Sequence, residues 1–240
     1  MVAQALDIED ILQVGVLLLA AGSGRRLGSA IPKQYLEVAG KPLLLHTLRS
    51  LEAEERIRWL QPVIGADDAA YFAAAVAGQV FTFALLPPVV GGSERALSMV
   101  AGLRALPDAV EMVAVHDAAR PLPSAALLAN LLDAAQTHGA AVPGVAVTDT
   151  IKEVDDGGMV VRTLARCRLR AVQTPQVARR EWLQQAIVGA GGQLSAFTDD
   201  LSLLEAAGFP VHVSLGEAMN RKITTIEDFH WLEGILQSGQ

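Results

Sequence analysis

One cysteine, Cys167, stands in 240 residues. No disulfide can close within the chain, and no cysteine-rich zinc site can be assembled from it. Positive charge is also scarce. Lys and Arg number 19 against 26 Asp and Glu, a formal net charge of −7, which argues against a general nucleic-acid binder, whose footprint is a basic surplus. Long apolar runs are missing too. Val14 to Ala21, one of the longer runs, falls far short of the about 20 residues that a membrane helix needs. Met1 to Gln13 carry Asp7, Glu9 and Asp10 and no Lys or Arg, the reverse of a secretory leader, so the chain reads as cytoplasmic with no membrane partner. No short period repeats, which excludes a solenoid.

What is present suits a core. Hydrophobic residues make up 51% and charged residues 19%, too apolar a balance for a disordered chain. The length predicts one domain over 1–240, burying roughly 70–75% of its unfolded surface without a staple.

The pattern alternates strand and helix. Val14–Leu19 is a continuous apolar run, as in a parallel strand buried on both faces. After a Gly-rich turn, Pro42–Glu52 has helical spacing. Ile57–Ile64 reads as a second strand, broken or ended near Pro62. Asp67–Val76 reads as a helix capped by Asp67. A third strand is expected at Val80–Leu86, a helix at Ser93–Leu106 with Ser93 as its cap, and a fourth strand at Val110–His116. Ser124–His138 is a helix closed by Gly139, and Ala140–Val147 a fifth strand. The rhythm then changes. Thr150–Thr163 holds two short β-like runs around Asp155-Asp156-Gly157-Gly158, a hairpin signature. Helices at Arg179–Val188 and from Thr198-Asp199-Asp200, a strand at Val211–Leu215 and a last helix from Thr225 complete the chain. Repeated βα units predict an open, mostly parallel, doubly wound Rossmann-like α/β sheet, with the hairpin as an excursion. Ligands of such sheets collect at the carboxyl ends of the strands.

The sharpest feature lies at the end of the first strand: Ala20-Ala21-Gly22-Ser23-Gly24-Arg25-Arg26-Leu27-Gly28, followed by Pro32-Lys33. Small residues let backbone N–H groups approach a polyphosphate, and Arg26 and Lys33 can neutralise its charge. A dinucleotide-binding turn would open directly into a helix, and that helix would have to contain Gly28, Ser29 and Pro32, where proline costs about 3 kcal/mol. A Walker A loop needs Gly-Lys-Ser/Thr, but Gly40-Lys41 is followed by Pro42.

Leu19 to Gly28 with Pro32-Lys33-Gln34-Tyr35 resembles the opening of the 2-C-methyl-D-erythritol 4-phosphate cytidylyltransferases, a family of the non-mevalonate isoprenoid pathway. Further pieces follow in that family's order: Gly91-Gly92-Ser93-Glu94-Arg95 with Ser98, His116-Asp117-Ala118-Ala119-Arg120-Pro121, Asp149-Thr150-Ile151-Lys152, Gln173-Thr174-Pro175-Gln176, Thr198-Asp199-Asp200 and Asn220-Arg221-Lys222-Ile223-Thr224. The resemblance implies a nucleotidyltransferase that joins CTP to a polyol phosphate and releases pyrophosphate. The attacking group would be the substrate's own phosphate, with a second pKa of about 6, so no protein base is required. The remaining difficulty is bringing two anions together, which Arg, Lys and Mg²⁺ (or another divalent cation) address.

By the same resemblance Arg26 and Lys33 stabilise the α-phosphate, and Lys222 and Arg166 hold the attacking phosphate. Ala20, Ala21, Gly22, Ser23 and Gly24 touch the CTP phosphates and base. Gly92, Ser93 and Ser98 read cytosine, with Ser93 using its backbone because relatives often carry Asp there. Asp117 and Ala118 follow the fourth strand, where a carboxylate reaches a ribose hydroxyl or a phosphate-bound Mg²⁺, or caps a helix instead. Arg120, Thr150 and Thr198 line the polyol-phosphate side, Thr198 doubling as a helix cap. His116 reads as packing rather than as a base. Members often have an acidic residue before the asparagine of the last motif, and this chain has Met219. In the family, segment 148–170 is an arm around a second subunit, which implies a homodimer with composite sites. Other readings are an enzyme of the same mechanism acting on ribitol 5-phosphate, a sugar nucleotidyltransferase using UTP or GTP, and a catalytically inactive nucleotide-binding scaffold. Retention of Arg26, Lys33 and Lys222 speaks against the last.

Overall fold

The computed structural model describes residues 12–22, 31–191, 193–194, 197 and 199–238. Its main sheet has β13 (His212–Leu215) beside β8 (Ala140–Ala146) at one edge. On the other side of β8 lie β11 (Arg170–Val172) and β12 (Gln176–Arg179). Then come β7 (Met112–Asp117), β1 (Val14–Ala20) and β4 (Ile57–Ile64), with β5 (Ala84–Leu85) and β6 (Val89–Val90) sharing the far edge. β1 runs parallel to both β4 and β7. β12 runs antiparallel to β7 and to β8, so one reversed strand separates two parallel ones. The open, mostly parallel sheet predicted from the sequence is present.

Alternation along the central strands divides the core. Val14, Val16, Leu18 and Ala20 of β1, with Met112 and Ala114 of β7, face α1 (Leu43–Leu51), α2 (Ala69–Val76) and α4 (Ala125–His138). Leu17, Val113 and Val115 face α3 (Arg95–Ala105), α5 (Arg180–Ala190) and α6 (Asp200–Ala206). This double cover is why β1 is apolar at every position rather than at alternate ones. A third cluster joins Val38, Leu43 and Ala119 to Ile223, Phe229 and Leu232, and docks α7 (Ile226–Ser238).

α4 follows its sequence signals. The Ser124 hydroxyl accepts from Leu127 N–H, and Gly139 closes the helix at φ 85°, a region that glycine enters without a Cβ penalty. Elsewhere the structure corrects the reading. β4 does not end at Pro62. Residues 61–62 face the gap between β5 and β6, where no ladder partner is needed. There Gln61 Nε2 donates to Pro62 O at 3.0 Å and to Pro87 O at 2.9 Å. The third strand shrinks to two residues, β5. α2 is capped at Asp68, not Asp67, and α3 at Glu94, not Ser93. Asp199 caps α6 in a box with Ser202, the role offered to Thr198. β11 and β12 were not anticipated, nor was the small hairpin of β2 (Glu37–Val38) and β3 (Lys41–Pro42). Among the described residues β9 (Lys152–Val154) and β10 (Val160–Thr163) pair only with each other. They form the expected arm, outside the main sheet.

Candidate active site

Parallel β1 and β7 end side by side, with Leu19 in register with Asp117. Beyond them opens a cleft of about 400 Å³, at the carboxyl edge where such sheets bind ligands. Ala20, Ala21 and Gly22 form one wall, Gly92, Ser93 and Ser98 a second, and Asp117 and Ala118 the floor. Lys33 and Lys222 enter from opposite ends of the sequence.

Residues Lys33–Tyr35 form a single 3-10 turn after Pro32. Its buried Gln34 donates from Nε2 to Ala20 O at 2.5 Å and to Asp68 Oδ2 at 3.2 Å. This ties the turn to the end of β1 and fixes Lys33, whose Nζ donates to Ile223 O at 2.9 Å. Gly91 donates to Ile64 O at 2.8 Å as β6 ends. A Cβ on Gly91 would lie 2.7 Å from both Ala21 Cβ and Ser98 Oγ, so the loop can close against Ala21 only with a bare α-carbon. Ser98 Oγ then accepts from Gly92 N–H at 3.1 Å, shaping the wall from inside the first turn of α3.

Asp117 concentrates the charge. Its Oδ2 accepts from Lys222 Nζ at 2.6 Å and its Oδ1 from Arg95 Nη2 at 3.2 Å. Burial pushes this carboxyl up, but Arg95 and Lys222 outweigh it and hold the group well below the usual carboxylate range, since an opposite charge nearby favours the ionised form. Arg95 also pairs through Nη1 with Asp200, which is 3% exposed at the start of α6. Burial alone would lower the Arg95 pKa, and the two carboxylates carry it above its ordinary value instead.

Beneath the floor runs a buried polar chain. Asp117 N–H donates to Thr174 Oγ1 at 3.0 Å, and Thr174 Oγ1 lies 3.0 Å from His116 Nδ1. His116 Nε2 sits 3.0 Å from Arg120 O. A carbonyl only accepts, so Nε2 carries the proton and Nδ1 takes the Thr174 hydroxyl hydrogen. Burial lowers the His116 pKa to about 4, leaving a neutral ring that braces the Asp117–Arg120 turn. Asn220, fully buried, donates to Thr174 O at 2.9 Å, and Gln173 Nε2 donates to Glu217 O at 2.7 Å. The loop bearing Lys222 is thus clamped to the same segment.

Ala20, Ala21, Gly22, Lys33, Gly92, Ser93, Ser98, Asp117, Ala118 and Lys222 therefore converge as the sequence suggested. Arg120 sits behind this wall, donating to Asn220 O at 2.8 Å. Arg166 and Thr150 are exposed on the arm and do not line the cleft of their own chain, and Arg166 donates to Thr148 O. Ser23, Gly24, Arg26 and Thr198 lie outside the described residues. The sequence reading gave no role to Arg95, Gln34 or Thr174, although all three fall inside quoted motifs. A charged or amide side chain within a motif was the available signal.

No group of three or more His, Cys, Asp or Glu suited to a metal ion occurs among the described residues. The carboxylates lining the cleft come from Asp117 and Glu94. Such a donor set fits Mg²⁺ that takes most of its ligands from phosphate oxygens, with one carboxylate at hand.

A family model described as IspD, 2-C-methyl-D-erythritol 4-phosphate cytidylyltransferase, matches residues 14–238. A bifunctional enzyme IspD/IspF of Rhodopseudomonas palustris (strain BisB18) is 42% identical over 219 residues, covering 90% of this chain and 54% of that protein. The chain thus spans about half the length of the curated relatives it matches. A crystal structure of 4-diphosphocytidyl-2C-methyl-D-erythritol synthase from Anaerococcus prevotii superposes with a TM-score of 0.82 at 28% identity, covering 95% of this chain and 100% of that one. The 2-C-methyl-D-erythritol 4-phosphate cytidylyltransferase of Thermus thermophilus gives 0.72 at 32% identity, covering 94% and 100%.

Proposed function

The chain belongs to the 2-C-methyl-D-erythritol 4-phosphate cytidylyltransferase family, and from that membership we propose that it converts CTP and 2-C-methyl-D-erythritol 4-phosphate into 4-diphosphocytidyl-2-C-methyl-D-erythritol and pyrophosphate. The observation that carries the reading is the meeting of Lys33 and Lys222 around Ile223, above the ends of β1 and β7. Two cations there face a wall of small residues and a carboxylate, the surroundings that a triphosphate beside a second phosphate requires.

A phosphate oxygen of the polyol phosphate attacks the α-phosphorus of CTP in line. A P–O bond forms there as the bond to the bridging β-oxygen breaks, and pyrophosphate leaves with that electron pair. The attacking group is already largely dianionic at neutral pH, so no side chain has to remove a proton. Catalysis rests on position and charge. Lys33 and Arg26 stabilise the α-phosphate as negative charge grows on it. Lys222 exchanges Asp117 for the attacking phosphate. Ala20 to Gly24, Gly92, Ser93 and Ser98 seat the nucleotide, and Asp117 and Ala118 meet the ribose. Asp117 would help hold Mg²⁺ on the CTP phosphates, where the ion would supply neutralising charge to the triphosphate.

Arg166, Thr150, Arg120 and Thr198 complete the polyol-phosphate side, the first two reaching across from a partner's arm in a homodimer. Supporting this, Arg166 and Thr150 stand clear of their own cleft, and the arm exposes Val154, Met159, Val160 and Val161. A two-stranded ribbon is marginal alone in water and gains from a surface to lie on. Among the described residues no helix is long and apolar enough to cross a membrane, and the acidic chain with its single thiol suits work in the cytoplasm.

The test mixes purified protein, Mg²⁺, one nucleoside triphosphate and one polyol phosphate, and follows pyrophosphate release. CTP with methylerythritol phosphate is expected to be the best pair and ribitol 5-phosphate a poor acceptor. Lys33→Ala and Arg26→Ala should lower the rate by about 100-fold or more, the scale of removing one donor aimed at developing charge, with little change in Tm. Equal losses of rate and stability would overturn the assignment.

A further inference from the structure

Two residues that face the proposed phosphates, Lys222 and Asp117, are paired with each other at 2.6 Å in the cleft. One of the three N–H donors of Lys222 is held by that carboxylate, and bringing the full charge of the ammonium onto a phosphate means moving away from Asp117. The Lys222 side chain is 41% exposed, whereas that of Asp117 is 11% exposed, so the lysine is the partner free to swing. If Asp117 had no other cation, releasing Lys222 would strand a buried carboxylate, and the ion pair would hold the lysine back.

Arg95 removes that obstacle. It reaches Asp117 Oδ1 at 3.2 Å, on the oxygen that Lys222 does not use. Its other terminal nitrogen pairs with Asp200, which is almost fully buried at the first turn of α6. Asp200 is itself held by the Asp199–Ser202 capping box, with Ser202 N–H donating to Asp199 Oδ1 at 2.7 Å. Gln176 Nε2 braces Asp199 from β12 at 3.3 Å. The guanidinium is a planar fork whose two ends match two carboxylates at once, a geometry that a lysine cannot copy.

We infer that Arg95 is a positioning residue, which pins Asp117 to the buried Asp200 so that Lys222 can pass from Asp117 to the incoming polyol phosphate. Arg95 thereby divides the labour of the cleft. The carboxylate stays ionised and fixed, and the lysine carries the mobile charge. The inference rests on the reaction proposed above, and extends it to a residue of the cleft wall that acts through Asp117.

Arg95→Gln alone leaves Asp200 buried without its cation and endangers the fold. The informative variant is therefore the double substitution Arg95→Gln with Asp200→Asn, which replaces the buried ion pair by two amides. Asp200→Asn alone is the reference, because it keeps Arg95 and offers it an amide oxygen. Each is assayed for pyrophosphate release with CTP and methylerythritol phosphate varied separately, and for CTP binding by calorimetry. The reference is expected to stay within about threefold of wild type, as for one weakened hydrogen bond. In the double variant kcat/KM for the polyol phosphate should fall by about tenfold or more, the scale of a misplaced group. CTP affinity should fall less than that. Arg95→Lys, which keeps the charge and loses the fork, should recover part of the loss.

A folded double variant whose kinetics match the reference would overturn the inference and leave Arg95 a structural bolt. Equal losses for both substrates would do the same, since Lys222 release concerns only the phosphate. If the double variant does not fold, Arg95→Lys decides alone, and wild-type kinetics in it would refute the role. If wild type itself releases no pyrophosphate from this pair, the proposed reaction falls. Calorimetric titration of the Arg95 variants with inorganic phosphate then tests the release of Lys222, and unchanged affinity would refute it.

Discussion

His116 gives the folded state a dependence on pH that can be worked out from its surroundings. The ring is fully buried, and both of its nitrogens are engaged, by Arg120 O and by Thr174 Oγ1. Burial lowers its pKa from 6.5 to about 4. Above pH 6.5 the ring is neutral folded or unfolded, and its contribution to stability is fully present. As pH falls from 6.5 toward 4, the unfolded chain takes up a proton that the folded chain refuses, and that stability drains away. The gap between the two pKa values is worth roughly 3 kcal/mol, at about 1.4 kcal/mol per unit. Urea unfolding at intervals from about pH 7.5 to about pH 4, for wild type and His116→Gln, reads the difference directly. The glutamine cannot titrate, so its stability should fall less steeply, with the two curves converging by about 3 kcal/mol at the acid end. Parallel curves would show that His116 does not titrate as its burial demands, and would remove the argument for a neutral brace beneath Asp117.

Other outcomes follow from the same geometry. Thr174→Val removes the hydroxyl between Asp117 N–H and His116, leaving two buried polar groups unpaired; a loss of about 2–4 kcal/mol is expected in urea unfolding, largely restored by Thr174→Ser. Gly91→Ala places a methyl against Ala21 and Ser98, so CTP affinity measured by calorimetry should drop while Tm moves little. Ser124→Ala removes the α4 cap and the bond from Ser124 Oγ to Glu217 Oε1 at 2.5 Å, and should cost about 1–2 kcal/mol by thermal unfolding. Val160→Asp with Val161→Asp should turn the proposed homodimer into a monomer of low activity in sedimentation; a fully active wild-type monomer would refute the composite site.

Local signals carried much of the fold. β1 is legible because both its faces are covered, so its apolar run is unbroken, and α4 because Ser124 and Gly139 mark its ends chemically. β11 and β12 were illegible for the opposite reason. They are three and four residues long, hold Arg170 and Arg179, and exist because β7 and β8 offer them edges. Pro62 misled because proline's effect depends on which side of the strand is paired, which only topology decides. Within the site, Lys33 and Lys222 could be named from their motifs, whereas the ion pair joining Arg95 to Asp200 spans 105 positions. Neither residue is unusual in its own neighbourhood. Their meeting is a property of how α3 and α6 lie on one face of the sheet.

The reversed strand β12 also sets an order of assembly. β7 is complete once residue 117 has been synthesised and β8 once residue 146 has, yet the strand joining them ends at Arg179. A growing chain therefore passes through a stage in which two finished strands have no neighbour between them, each presenting open amides and carbonyls to whatever else is nearby. The arm is made during that interval, since Lys152 to Thr163 precede Gln176. Both strands of the ribbon are thus complete in sequence before the strand that closes the sheet.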